Sequence, residues 1–263
     1  MVGKGGKLAA VRAALRPISW QPWLNAASDL LFPPACVHCQ CEIRASIDGI
    51  LLCPRCRREF IDVRSPCVCC GAGLADGVDL GERCVHCRGV GFKFSAVVRL
   101  GHYDGGLQPA ILAAKQSVNG ALAMHLGRLL AQTRQAELAA TNFDAIVAVP
   151  AFWTRRSKHG HNSPDVLAEA IGRQLRLPIA EQLLLRTRAT RPQTELTPPQ
   201  RRANVRDAFT VRRHPDLGDA KILLVDDVLT TGATANEAAK ALLKAGAAAV
   251  SVAVLARAVG TRQ

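Results

Sequence analysis

Aromatic side chains are scarce in this chain, at 4% of 263 residues. A surface that stacks single-stranded bases on aromatic rings is therefore disfavoured. No run of about 18 uninterrupted apolar residues occurs, so no membrane span is expected. Residues 1–16 are basic and Ala-rich, but Arg12 and Arg16 break up their apolar stretch and no cleavage site follows. That argues against a signal peptide and leaves a short amphipathic basic helix or a frayed tail. Cysteine is missing before residue 36 and after residue 87. A disulfide-stapled secreted protein would spread its cysteines more widely, so a reducing, cytoplasmic location is expected. Acidic residues are also in deficit. The 34 Lys or Arg outnumber 21 Asp or Glu, for a formal net charge of +13.

Such a charge fits an anionic partner, whether phosphate ligand, nucleic acid or membrane surface, and equally a plain solvated basic face. Its distribution says more, because residues 150–213 hold 13 Lys or Arg against 5 Asp or Glu. A hydrophobic share of 49% allows a sizeable core. In residues 1–35, Trp20, Trp23, Leu24, Ala27, Leu30 and Leu31 recur at helical spacing until Pro33-Pro34. Residues 36–90 are cysteine-rich and short of regular elements. Residues 91–263 then alternate. Strands are predicted over 92–100, 145–149, 222–225 and 250–255. Helices are predicted over 107–117, 121–136, 164–176 (with Ser163 as N-cap) and 233–245. Residues 186–206 read as a long loop or a β-ribbon excursion. Alternation of this kind implies an α/β domain, a parallel sheet flanked by helices, behind an N-terminal tail and a cysteine module.

All ten cysteines lie in residues 36–87. Cys36-x2-Cys39 with Cys53-x2-Cys56 makes one set of four thiols, and Cys67-x2-Cys70 with Cys84-x2-Cys87 makes a second. Two such turns complete a tetrahedron around one ion, so one or two structural zinc ions are expected. Cys41 and Cys69 are extras, and His38 and His86 are read as lying outside the ligand sets. Sites closed by four thiolates hold a small domain together rather than catalyse, and that domain can in turn hold a partner.

The segment 221–234, Lys-Ile-Leu-Leu-Val-Asp-Asp-Val-Leu-Thr-Thr-Gly-Ala-Thr, carries the most chemistry. An apolar strand delivers Asp226 and Asp227 to its carboxyl end, where open α/β sheets bind ligands. Thr230, Thr231, Gly232, Ala233 and Thr234 then open a helix whose amides and dipole suit a phosphate. Two carboxylates beside a phosphate cradle would repel it unless they accept from something else, and vicinal ribose hydroxyls are such donors. An ordinary strand-turn-helix with solvated Asp explains the pieces but not their order. After a second strand come Pro150, Arg155, Arg156, Lys158, His159 and His161. This cation-rich loop suits a diphosphate, or is simply solvated; two His alone are a weak metal signal. Arg186, Arg188, Arg191, Gln193, Arg201, Arg202, Asn204 and Arg206 form a basic excursion. It suits a loop that closes over a reacting centre, a nucleic-acid-binding edge, or neither.

The 226–234 segment closely resembles the phosphoribosyl diphosphate (PRPP) loop of type I phosphoribosyltransferases. That resemblance implies that Asp226 and Asp227 hold ribose hydroxyls, that Thr230 to Thr234 hold the 5-phosphate, and that Pro150, Arg155, Arg156 and Lys158 belong to the diphosphate loop, with Mg²⁺ accompanying PRPP. The wider chain resembles the ComF family of competence-associated phosphoribosyltransferase-like proteins. The resemblance rests on Leu30-Leu-Phe-Pro-Pro-Ala-Cys36, the double zinc ribbon, Tyr103, Lys115, Val149-Pro150, Arg155-Arg-Ser-Lys-His-Gly-His-Asn162, Gln193, Arg202, Asn204, Phe209 and the Asp226-Asp227 loop. It implies a type I phosphoribosyltransferase fold with a role in DNA uptake or nucleotide-related metabolism. The partners it implies are PRPP and either single-stranded DNA or a competence helicase. Two departures shift the expectation from turnover toward a PRPP-sensing or DNA-handling module. Thr230 stands where some relatives carry a catalytic Asp, and His159-Gly160-His161-Asn162-Ser163 replaces the family's Arg-Gly-Phe-Asn-Gln.

Overall fold

The computed structural model describes residues 33–43, 48–74, 83–116, 119–151, 162–190, 197–212 and 217–259. The helix expected before Pro33 lies outside them. At the centre is a four-stranded, all-parallel sheet in the order β1 (Val97–His102), β6 (Ala249–Arg257), β5 (Lys221–Leu229), β2 (Ala145–Ala148). The two inner strands are near-continuous apolar runs, as expected for strands covered on both faces. Period-2 alternation sorts their side chains between two cores. Leu223 and Val225 join α3 (Gly120–Thr133) and α5 (Ser163–Leu175) on one side. Ile222 and Leu224 join α7 (Ala233–Lys244) on the other. Gly127 brings α3 and α5 close, since a Cβ there would stand 2.7 Å from that of Ala170.

The first cysteine group is built into this body rather than hung from it. Cys36, Cys53 and Cys56 share a core with Phe60, Leu100 and Leu107. Cys53 caps α1 (Pro54–Phe60), its Sγ accepting from the Cys56 amide, while Pro54 suits the first helical turn. A polar latch beside it ties residue 62 to β1. Arg99 is fully buried, and its Nη2 donates to Asp62 Oδ2 at 2.6 Å. His102 Nε2 lies 2.9 Å from the same oxygen. Arg134 donates to the carbonyls of Arg99 and Asp62 at 2.9 and 2.7 Å. Burial pulls the Asp62 carboxyl upward, but bonds from Arg64 and Arg99 outweigh it and hold it at about 2.

Several boundaries differ from expectation. β1 begins at Val97, because Phe92 and Phe94 stack on each other at 4.5 Å instead of entering the sheet. The helix expected over 107–117 ends at Ala114 (α2, Leu107–Ala114), and α3 breaks at Arg134 into α4 (Gln135–Ala139). Asn162, not Ser163, is the N-cap of α5. Its side-chain amide donates to the carbonyl of Val149 at 3.1 Å and to Asp165 at 3.0 Å, tying the start of α5 to the end of β2. The basic excursion is bracketed by a two-stranded β-ribbon, β3 (Leu184–Arg186) antiparallel to β4 (Phe209–Val211). Between them lies an unforeseen helix, α6 (Pro198–Val205), started by a capping box of Thr197 and Gln200.

Candidate functional site

β5 outruns its neighbour β2. The last β2 pairing is Ala148 with Val225, while β5 goes on along β6 through Leu229. Asp226 and Asp227 therefore sit where one side of the strand has lost its partner, and the backbone opens toward Pro150. Burial, and then the charge of Asp227, pushes the Asp226 carboxyl up to about 7. The Asp227 amide donates to Asp226 Oδ1 at 2.8 Å. Lys115, the C-cap of α2, brings Nζ to 3.0 Å from Asp227 Oδ2. Partial desolvation opposes the charge of Lys115, whose side chain stays 41% exposed, but the acidic pair outweighs it and raises its affinity for a proton.

The loop that follows is held at close quarters. Gly232 adopts φ 76°, a left-handed conformation that favours glycine, and a Cβ there would meet the Phe92 ring at 2.8 Å. As N-cap of α7 it contributes no capping side chain. Thr231 Oγ1 accepts a long bond, 3.4 Å, from the Ala233 amide. The first-turn amides and the positive end of the helix dipole thus face the same edge as the two carboxylates. Asn236 is tied down from outside, its Oδ1 accepting from the Lys93 amide at 2.7 Å.

Beneath the loop lies Arg257, which sequence reasoning missed. It ends β6 and is paired in register with Leu229. Its Nε donates to the carbonyl of Cys70 at 2.8 Å, and its Nη1 to the carbonyls of Leu229 at 3.0 Å, Thr230 and Ala258. A strand-terminal Arg after an all-apolar run was the available signal. Of the expected diphosphate residues, Pro150 follows β2 at this edge, and Val149 donates to the carbonyl of Val225 at 2.9 Å. Arg155, Arg156, Lys158 and both neighbouring His lie outside the described residues, as do Arg191 and Gln193. From the ribbon, Arg186 places its guanidinium 5.5 Å from the Phe209 ring centre, and its charge acts on Asp226.

All eight expected ligand cysteines come together in the expected sets, each set with its sulfurs within 4.8 Å of one another. Four thiolates at zinc's usual bond length of roughly 2.3 Å in a tetrahedron would stand about 3.8 Å apart. The observed Sγ separations are 3.7 Å for Cys39–Cys53, 3.8 Å for Cys67–Cys87 and Cys84–Cys87, and 3.4 Å for Cys70–Cys84. The two sets repeat one knuckle. Gln40 and Gly71 follow the first cysteine by four residues, return a hydrogen bond to its carbonyl and adopt φ 62° and 69°. Burial pushes Cys70 up to about 12 and also raises Cys56 and Cys87. Thiols so close cannot all ionise without a cation between them, so each group could hold a metal ion. Cys41 lies outside the first set, its Sγ 3.4 Å from Cys39. His38 packs edge-on to Phe60 at 5.2 Å and is not among the four grouped ligand residues.

The phosphoribosyl transferase domain family model matches residues 166–262. Over 231 residues the chain is 30% identical to competence protein F of Haemophilus influenzae, covering 85% of this chain and 96% of that protein. It is 31% identical over 231 residues to DNA utilization protein YhgH of Escherichia coli K12, covering 87% and 99%. The YhgH protein of Salmonella typhimurium is 31% identical over 232 residues, with the same coverage. UMP synthase of Leishmania donovani aligns with 51% of this chain and 21% of its own at 20% identity and a TM-score of 0.27, too low to bear on the fold. The parallel sheet, its flanking helices and the matched domain make this a type I phosphoribosyltransferase fold with two four-cysteine groups on its N-terminal side.

Proposed function

This chain belongs to the family of competence protein F and DNA utilization protein YhgH, and on that premise we propose that it binds PRPP, as its Mg²⁺ complex, in the service of DNA uptake or use. One observation carries the reading. The Asp226-Asp227 pair, the Gly232 turn and the start of α7 share one sheet edge. Lys115 stands 3.0 Å from Asp227 there. The carboxylates would accept from the ribose hydroxyls, and the amides and hydroxyls of Thr230, Thr231, Gly232, Ala233 and Thr234 would hold the 5-phosphate. Lys115 supplies a cation beside the ribose. Pro150 with Arg155, Arg156 and Lys158 would meet the diphosphate. Zinc at the two cysteine groups would be structural, because four thiolates leave no open position. Titration calorimetry with Mg²⁺-PRPP and with ribose-5-phosphate tests this directly. Binding that disappears in the Asp226→Asn, Asp227→Asn double variant is expected. Binding that survives it sinks the assignment.

A second reading, a binding module without turnover, is favoured by Thr230. No carboxylate stands three residues after the acidic pair to act as general base. Such a module would sense PRPP or handle single-stranded DNA through the basic ribbon, where Arg188, Arg202 and Arg206 are exposed. Diphosphate release from PRPP is expected to stay at background across a panel of bases and amines. Affinity for single-stranded DNA should fall steeply with salt. Turnover with any acceptor overturns the module reading, and salt-independent DNA binding removes its DNA-handling arm.

A further inference from the structure

We infer that the second four-cysteine group is the foundation of the 230–234 loop, and that Arg257 is the positioning residue that passes its metal state to that loop. This rests on the reading of the loop as the phosphate cradle. Arg257 is only 6% exposed, and one planar guanidinium spans both structures. Its Nε side donates to the carbonyl of Cys70, a member of the group, at 2.8 Å. Its Nη1 side donates to Leu229 at 3.0 Å and to Thr230, the first residue of the loop. A lysine could reach one side but not hold both, because only the guanidinium fork fixes two directions at once. Four thiolates around one divalent zinc leave a net negative charge, which would stand beside this buried cation as its counter-charge.

A second element makes the same connection without hydrogen bonds. The Phe92 ring packs on the core of Cys67, Cys70, Cys84 and Cys87. The same ring lies where a Cβ of residue 232 would be, 2.8 Å away. Its neighbour Lys93 donates its amide to Asn236 in the first turns of α7. The chain leaving the second group is thus laid against both the turn and the helix that would hold the phosphate. The first group is placed differently: Cys36, Cys53 and Cys56 pack with Phe60, Leu100 and Leu107. The two cysteine groups therefore differ in role, one supporting the general core and the other the ligand loop. Metal in the second group and ligand in the loop must then favour each other reciprocally.

The test uses the full zinc-loaded chain, wild type, Arg257→Gln and Arg257→Lys, with two readouts besides ligand binding. Amide hydrogen exchange is followed in peptides covering 229–236 and, as an internal control, 120–133. Zinc release to a chromogenic chelator is followed with and without saturating Mg²⁺-PRPP. Arg257→Gln should speed exchange in 229–236 and zinc release by roughly fivefold or more while leaving 120–133 unchanged, and Arg257→Lys should fall between. Mg²⁺-PRPP should slow zinc release from wild type by a similar factor and not from Arg257→Gln. Unchanged exchange in 229–236, or equal loosening of 120–133, overturns the proposal. If Arg257→Gln does not fold, the Lys variant and the wild-type effect of Mg²⁺-PRPP on zinc release decide it. If Mg²⁺-PRPP fails to bind wild type, the ligand reading falls. The exchange comparison still decides whether Arg257 couples the group to the loop.

Discussion

Replacing Asp226 with Asn should stabilise the folded chain at alkaline pH while weakening its ligand. The folded carboxyl is pushed up to about 7 against an ordinary 3.8, because it is half-buried and largely desolvated beside Asp227. Between those values the folded state holds a proton that the unfolded chain has already released. Stability therefore falls as pH rises through that window, and the full cost of the charge is present above 7. Each tenfold change in proton affinity is worth about 1.4 kcal/mol, so the rise from 3.8 to about 7 sets a ceiling of about 4 kcal/mol. The attractions of Lys115 and Arg186 are already contained in that value, while water reaching this sheet edge relaxes part of the cost, so a net gain of about 1–2 kcal/mol is expected. Urea denaturation followed by far-UV circular dichroism measures it. The Asn variant should be more stable than wild type at pH 8 and nearly equal to it at pH 4. At the same time Mg²⁺-PRPP should bind roughly 10- to 100-fold more weakly, the worth of a charge-assisted hydrogen bond. A variant less stable than wild type at pH 8, or one with the same gain at both pH values, would refute the reasoning.

Asp62→Asn removes the carboxylate from the fully buried Arg99 and should cost about 3 kcal/mol in urea denaturation. Exchanging both residues for Leu should recover most of it. Wild-type stability should also fall in acid, because Asp62 is held at about 2; its contribution is whole above 3.8 and lost as pH drops toward 2. Lys115→Met takes away a charge that lowers Asp226, so the midpoint of the pH dependence of ligand affinity should move above 7. An unmoved midpoint in calorimetry across pH 6–9 would contradict the ion pair's role. Gly232→Ala forces a Cβ into a left-handed residue against Phe92 and should cost roughly 1–3 kcal/mol. Melting experiments and ribose-5-phosphate titration should both register it.

Much of the candidate site was legible because it is local in sequence. A β-strand, an acidic pair, a small-residue turn and a helix follow within residues 221–244, and each step has its own residue preferences. The cysteine sets were equally legible, since two residues between thiols is the span of one knuckle. Element boundaries were less so. The helix at Pro198–Val205 hides among prolines and arginines with little apolar periodicity, and its capping box was the one local signal. β5 runs past Val225 because β6 continues beside it, which no property of residues 226–229 announces.

The sequence alone determined the alternation that makes a parallel sheet, the positions of the eight thiols and the order of groups in the 226–234 segment. These follow from backbone periodicity and from chelate spacing, which operate over a few residues. Only the tertiary structure decided which distant residues serve that loop. Lys115 reaches Asp227 because α2 ends over the edge that β5 leaves open. Arg257 and Cys70, 187 residues apart, meet because the parallel order places the end of β6 beside Leu229 and against the second knuckle. Asp62 finds Arg99 in the same way. Such pairings depend on strand order and on the direction each strand leaves the sheet, which are properties of the packed whole and not of any segment.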